Sequence, residues 1–223
     1  MPRNESLRRD LLEMASLDRA TRAELAASGD LFDAGYEPRM ARVHARNARR
    51  LRRVIESVGW PGTDLVGPDG AEAAWLILQH AIAEPDLLRS VSPLLETAAR
   101  EGRADPAHAA MLEDRIRFFE GRPQRYGTQL DWDAEGNLSP GEVEDPRRLA
   151  ERRLAVGLPP LEEQIEKARS RATAEGERPP AAHQAYADAR DEWAASVGWR
   201  GGCCRRRSRR RVAVAGPRRR ACP

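Results

Sequence analysis

The sequence predicts a mainly α-helical fold. It indicates a single helical globular domain with an irregular segment or short hairpin near 122–140, plus a disordered basic C-terminal tail. Three observations support this. Apolar residues recur at the three- and four-residue spacing of amphipathic helices. Proline and glycine stand where helices begin and end. Runs of the β-branched residues that favour strands are few.

Four helices are predicted in the first hundred residues: 5–28 (one helix or a broken pair), 38–58, 70–83 and 86–101. Pro38 suits the first turn of the second helix and Gly59 its C-cap. The stretch "GWPGTDLVGPDG" (59–70) predicts a loop before the third helix. Pro85 stops that helix because proline cannot continue the hydrogen-bond ladder.

The second half begins with a helix over 106–120, which Pro106 starts and Gly121 ends. The irregular segment follows, with the turn of a hairpin at Glu135-Gly136-Asn137. The remaining predicted elements are short helices at 145–158 and 159–172, a linker at 175–180 and a last helix over 181–197.

These elements divide into a helical domain at 3–172, a linker and appended helix at 173–199, and a disordered Arg-rich tail at 200–223. The tail holds ten arginines and no acid, so removing it from a chain of formal charge +3 leaves −7 for residues 1–199. All three cysteines also lie in the tail. The domain therefore has neither a disulfide framework nor a cysteine zinc site.

Several function classes are disfavoured. No apolar run is long enough for a transmembrane helix, and the N-terminus lacks a signal-peptide core, so a cytoplasmic location is expected. The nucleotide fingerprints GxxxxGK[ST] and GxGxxG are absent. Nucleic-acid binding is expected only non-specifically, through the 200–223 tail. The expected partner is an unknown small molecule or protein, with no cofactor.

The apolar stretch "AWLILQHAIAEP" (74–85) carries two adjacent polar residues, Gln79 and His80. Adjacent residues cannot share one helix face. On a helical wheel Gln79 shares a polar strip with Glu72, whereas His80 falls between apolar neighbours. His80 is therefore the inward-facing candidate, and either Glu84 or Asp114 is available to orient its ring.

Two other helices repeat this pattern. His44 and Asn47 fall on the apolar stripe of the 38–58 helix, and Arg115 projects from the middle of the apolar face of the 106–120 helix, with Asp114 at its edge. Two interpretations remain open: the groups share one pocket, or they form separate structural networks. A shared pocket requires His80, Arg115 and Tyr126 to line one concave surface.

The chain also carries an ordered set of short motifs: "GWP" (59–61), "VG" (66–67), "QHA" (79–81), "DR" (114–115), "QRYGTQ" (124–129) and "RRLAVGLPPL" (152–161). In this order they resemble an uncharacterised bacterial family, a domain of unknown function, over about residues 5–170. The resemblance implies one helical domain and no known activity. It implies these signature positions: Trp60, Gln79, His80, Asp114, Arg115, Gln124, Tyr126, Gly127, Thr128 and Gln129.

Three functions are compatible with these residues. The first is binding of a small anionic or amide ligand, or a peptide, in a polar pocket. The second is acid–base catalysis, hydrolase-like or lyase-like, with His80 as the catalytic candidate. The third is a structural or interaction protein without a ligand site. The ligand-binding candidates are Trp60, Gln79, His80, Asp114, Arg115, Gln124, Tyr126 and Gln129.

Three of the histidines are also potential metal ligands. His44, His80 and His108, with an acid, offer nitrogen and oxygen ligands, but the sequence has neither HExxH nor another paired-histidine spacing. The sequence therefore predicts no metal site.

Overall fold

A computed structural model describes residues 2–30 and 36–200. These residues form eight α-helices: α1 (Glu5–Ser28), α2 (Pro38–Val58), α3 (Thr63–His80), α4 (Pro85–Arg100), α5 (Pro106–Glu120), α6 (Leu149–Ala155), α7 (Leu161–Glu175) and α8 (His183–Ser196). Two short strands, β1 (Asp131–Trp132) and β2 (Leu138–Ser139), pair as an antiparallel hairpin. The predicted mainly α fold with a hairpin is confirmed. The predicted disorder of the tail concerns residues that lie outside the described ranges from 201 onward.

Side-chain caps mark where the first two helices begin. Asn4 caps α1 by accepting a hydrogen bond from the Leu7 amide at 3.0 Å. Glu37 accepts from the Met40 amide at 2.7 Å at the start of α2. Such side chains satisfy amide groups that have no partner inside the helix, which fixes where the helix begins.

The prediction of a loop over 59–70 is wrong from residue 63 onward, because α3 already begins at Thr63. Gly67, at φ 74°, interrupts the helix, and Pro68 lies at the start of its second part. The helix also ends earlier than the predicted residue 83. His80 is its last residue and Ala81 its C-cap, so the His80 ring projects from a helix end instead of a helix middle.

The core lies between α1 and α3, with α2 packed on both and the α4–α5 pair beside them. Each of the helices α1 to α5 contributes large buried side chains to it, for example Leu11, Leu51, Leu78, Leu88, Leu95 and Leu112. Burying such side chains supplies about 1.5–3 kcal/mol each and holds the three helices that carry the inward-facing polar groups.

The segment after α7 returns to this core. Trp199 is 2 % exposed, stacks on Phe119 and donates its indole N–H to the carbonyl of Ile82 at 2.7 Å. Arg200, the first residue of the predicted tail, donates to the Phe119 carbonyl at 3.0 Å. Nowhere in 2–30 and 36–200 is there a helix both long and apolar enough to span a membrane.

Candidate functional site

The inward-facing polar groups form two clusters. The loop cluster contains Asp114, Arg115, Gln124, Thr128 and Gln129, where the segment 124–129 lies against α5. The histidine cluster contains Asp18 of α1, Tyr36, His44 of α2 and His80 of α3. The structure thus separates the signature positions that the sequence grouped as one candidate set.

Asp114 anchors the loop cluster. Its carboxylate accepts hydrogen bonds from the amides of Arg125, Tyr126 and Thr128 at 2.7–3.1 Å, and from the Thr128 hydroxyl at 3.0 Å. It is fully buried, in contrast to its predicted position at the edge of the helix face. A carboxylate that collects several backbone amides fixes the path of a loop, because each donor would otherwise be buried without a partner.

The other members complete this network. The buried Gln124 amide donates to the carbonyl of Gln129 at 2.8 Å and accepts from the Gln129 amide at 2.8 Å. Arg115 donates to the Gln129 side-chain oxygen at 3.0 Å and to the backbone carbonyl of Gln79. Arg115 thus reaches the chain beside His80, but its described hydrogen bonds go to Gln129 and Gln79.

Burial shapes the charges of the loop cluster. It raises the pKa of Asp114, and the four donors offset only part of that effect. It also lowers the pKa of Arg115 to about 10. Arg115 therefore stays protonated at neutral pH, with Gln79 and Gln129 oxygens as its acceptors.

The histidine cluster brings together side chains from three helices: Asp18 from α1, His44 from α2 and His80 from α3. Nδ1 of His80 donates to Asp18, with its two carboxylate oxygens at 2.9 and 3.1 Å. The His44 and His80 ring centres are 4.9 Å apart. The side chains are increasingly open to solvent along the series Asp18, His44, His80, with 1 %, 11 % and 26 % exposed. The cluster thus opens toward solvent on the His80 side.

The two ring nitrogens of His44 differ in their hydrogen bonding. Its Nε2 lies 3.2 Å from an Asp18 oxygen but is not aligned for a hydrogen bond, so this buried atom has no hydrogen-bond partner among the described residues. Its other ring nitrogen, Nδ1, is hydrogen-bonded to the Tyr36 hydroxyl. One side of the ring is therefore fixed, and the other faces the carboxylate without bonding to it.

The charge of Asp18 is favoured despite its burial. Burial raises the pKa of this carboxyl, but the neighbouring His44 and His80 rings outweigh it, and the pKa lies well below its usual range. Burial and the nearby Asp18 charge raise the pKa of Tyr36. At neutral pH the cluster therefore contains an ionised carboxylate, which orients the His80 ring, and a neutral phenol.

The remaining predicted site residues lie apart. Trp60 is buried, and its indole nitrogen has no hydrogen-bond partner in the described part of the chain. Tyr126 lines a cavity of about 440 Å³ together with Arg125, Arg100 of α4 and Glu113 of α5. Neither His80 nor Arg115 lines that cavity. His108 stacks on Trp75, with ring centres 4.5 Å apart, and is not part of the histidine cluster.

Sequence reasoning missed Asp18 and Tyr36, and it kept His44 outside the site. Glu84, one of the residues expected to orient His80, instead pairs with Arg52 at 3.3 Å. A signal for Asp18 exists in α1. The buried positions of that helix include Leu11, Met14, Asp18, Thr21 and Leu25, which repeat at alternating spacings of three and four. A carboxylate on that stripe indicates a buried partner.

A family model matches residues 5–172, which include both clusters. The chain belongs to DUF6624, a family of unknown function. The predicted resemblance to a domain of unknown function is thereby confirmed. No curated protein and no solved structure matches the chain. The DUF6624 match ends before α8, so Trp199 packs onto the family domain from outside the matched residues.

Proposed function

We propose that this DUF6624 domain is a hydrolase-like acid–base enzyme with its reaction centre at the histidine cluster. The observation that carries the proposal is the hydrogen bond from His80 Nδ1 to the buried Asp18 carboxylate. Because that bond engages Nδ1, Nε2 is the ring nitrogen left to reach water or a substrate from a side chain that is 26 % exposed.

In this arrangement His80 exchanges the proton and Asp18 positions it. Nε2 takes a proton from a water molecule as the water oxygen forms a bond to the acyl or phosphoryl centre of the substrate, and the ring then donates that proton to the leaving group as its bond to that centre breaks. The ionised Asp18 holds the tautomer in which Nε2 is unprotonated and stabilises the imidazolium that forms. An isolated histidine can also act as a base, but the carboxylate makes proton removal more favourable because it stabilises the positive charge that the ring acquires.

Turnover of chromogenic model substrates tests the proposal. A panel of p-nitrophenyl esters, phosphate esters and anilides is offered to the wild type, His80→Gln and the control variant His108→Gln. We expect His80→Gln to lower the rate on any accepted substrate by about 10²–10⁴-fold. His108→Gln is expected to retain it, because His108 stacks on Trp75 outside the cluster. Equal rates for wild type and His80→Gln would remove His80 from the reaction.

A second candidate function, ligand binding, is favoured by the cavity beside Tyr126. Its volume of about 440 Å³ falls in the range of small-molecule sites. Arg100 and Arg125 supply cationic donors at its wall, and the Arg125 guanidinium lies 5.7 Å from the Tyr126 ring centre. In this proposal Tyr126 contacts a small anionic or amide ligand, while Asp114, Gln124 and Gln129 hold the backbone that positions it.

Thermal shifts across a panel of small carboxylates and amides test this second function. A compound that binds the cavity stabilises the wild type and His80→Gln alike, but stabilises Tyr126→Phe or Arg125→Gln less. Stabilisation that disappears in His80→Gln and persists in Arg125→Gln would move the ligand to the histidine cluster.

A further inference from the structure

The histidine cluster has the composition of a metal site as well as of an acid–base pair. Asp18, His44 and His80 each offer one donor atom, and these atoms lie within 4.8 Å of one another. Two imidazoles and a carboxylate suit divalent transition metals such as zinc. Catalytic zinc sites have three protein ligands and a further position open to water or substrate, whereas structural zinc sites have four protein ligands.

The separations between the donors fit one small ion. With metal–ligand bonds of 2.0–2.2 Å, the edges of a tetrahedral site measure roughly 3.3–3.6 Å. Asp18 lies 3.2 Å from His44 Nε2 and 2.9 Å from His80 Nδ1. An ion bound here replaces the Nδ1 proton of His80 that otherwise bonds to Asp18, and that proton is released to solvent.

The orientation of His44 supplies a second, independent observation. A ring nitrogen that donated to Asp18 would point its N–H at the oxygen, yet His44 Nε2 lies beside the carboxylate out of alignment and without a hydrogen-bond partner among the described residues. The Tyr36 hydroxyl engages Nδ1 of the same ring. When the phenol oxygen accepts from Nδ1–H, the lone pair of Nε2 is left for a metal. A polar partner on the other ring nitrogen is typical of metal-binding histidines.

From these observations we propose that Asp18, His44 and His80 bind one divalent transition-metal ion, with Tyr36 orienting His44 from behind. The proposal rests on the proposed hydrolase-like function, which it deepens by naming the cofactor of the same site. A bound zinc ion lowers the pKa of a coordinated water to about 7 and thereby provides the base that His80 supplies in the metal-free protein. Solvent reaches the cluster from the His80 side, where the ring is 26 % exposed.

Calorimetric titration with zinc chloride tests the proposal. The full chain is used without a histidine tag and after dialysis against a chelator. Cys203, Cys204 and Cys222 are replaced by serine, because thiols in the tail bind zinc by themselves. We expect one ion per chain, at least a 100-fold loss of affinity in His44→Gln and in His80→Gln, and unchanged binding in His108→Gln.

Two further measurements keep the outcome decisive. Circular dichroism shows that each variant is folded, and zinc is expected to raise the melting temperature of the wild type but not of folded His44→Gln. Absent zinc binding in the wild type, or equal binding in wild type and His44→Gln, would overturn the metal site. Turnover that depends on His80 but survives a chelator would overturn the metal site and leave the proposed function standing. A bound zinc ion with no turnover would do the reverse.

Discussion

The two buried carboxylates of this domain, Asp114 and Asp18, are equally hidden from solvent but differ in their partners. Asp114 accepts from three amides and a hydroxyl, all in one segment of chain. Asp18 faces two imidazoles from two other helices, and only the His80 ring is aligned to bond to it. The first arrangement is that of a structural anchor. The second places proton-exchanging groups together and leaves one ring nitrogen, Nε2 of His44, without a hydrogen-bond partner in the described residues.

The surroundings of the two carboxyl groups also shift their pKa values in opposite directions. Burial raises the pKa of Asp114, whereas the histidine rings overcome burial and lower the pKa of Asp18. An ionised carboxylate is thus stabilised at the cluster where chemistry is proposed and is disfavoured at the cluster that holds a loop. Burial alone therefore does not mark a functional acid. The kind of donor around it does.

The largest expected effect is on stability at Asp114. Asp114→Ala leaves four donors without their acceptor, two of them buried and two partly buried, and at about 1–3 kcal/mol each we expect a loss of at least about 4 kcal/mol of unfolding free energy. Urea unfolding followed by circular dichroism measures it. The control is Asp86→Ala, since the Asp86 side chain is 91 % exposed and is expected to matter by less than about 0.5 kcal/mol. A loss below about 1 kcal/mol at Asp114 would deny it the anchoring role.

The next effect concerns Asp18 and its dependence on pH. Asp18→Asn is expected to cost about 2–3 kcal/mol at pH 7, because it removes a charged hydrogen-bond acceptor. The folded-state pKa of Asp18 is lowered, so its contribution is present above the unfolded value of about 3.9 and is lost as the pH falls through the folded value. The difference in unfolding free energy between the wild type and Asp18→Asn therefore becomes smaller below about pH 4.

Urea unfolding of both proteins from pH 7 to pH 3 checks this prediction, with Asp114→Asn as the contrasting variant. The folded-state pKa of Asp114 is raised, so its contribution is present below the unfolded value and is lost as the pH rises through the folded value. The deficit of Asp114→Asn therefore grows on acidification. Two deficits that change in the same direction would erase the distinction between the two carboxylates.

The smallest expected effect is at Tyr36. Tyr36→Phe removes the partner of His44 Nδ1 and is expected to weaken zinc binding about 10–100-fold. Its cost in stability is about 1 kcal/mol. The matched control is Tyr186→Phe on α8, which removes a tyrosine hydrogen bond to Asp131 of β1 and is expected to leave zinc affinity unchanged. Calorimetry on both variants compares them, and equal weakening would show that Tyr36 acts only through stability.

Most of the fold could be predicted from the sequence, because local chemistry sets the helix ends. Pro38 and Pro106 begin helices where expected, and Gly59 and Gly121 follow their last residues. The prediction failed at 63–66, where a glycine-rich composition suggested a loop. Gly67 instead takes up the turn between two helical parts of α3. A single positive-φ glycine inside a helix cannot be distinguished in sequence from one that ends it.

The candidate site could be predicted only in part. His80 was recognised because it interrupts an apolar face. Its partner Asp18 is not evident from the sequence, because the apolar residue beside it, Leu17, is the one that composition alone would place in the core, yet Leu17 is 41 % exposed. The pairing of Asp18 with His80 depends on how α1 packs against α3. One sequence contains no information on that packing beyond the stripe itself.

If Asp18 orients His80 for proton exchange, it also fixes which nitrogen of the His80 ring carries the proton. Long-range proton–nitrogen correlation spectra of the metal-free protein, with signals assigned by the single His→Gln variants, separate its four histidines. We predict that the neutral His80 ring carries its proton on Nδ1, with Nε2 unprotonated, and that Asp18→Asn changes this pattern. A His80 ring protonated on Nε2, or one that does not respond to Asp18→Asn, would contradict it.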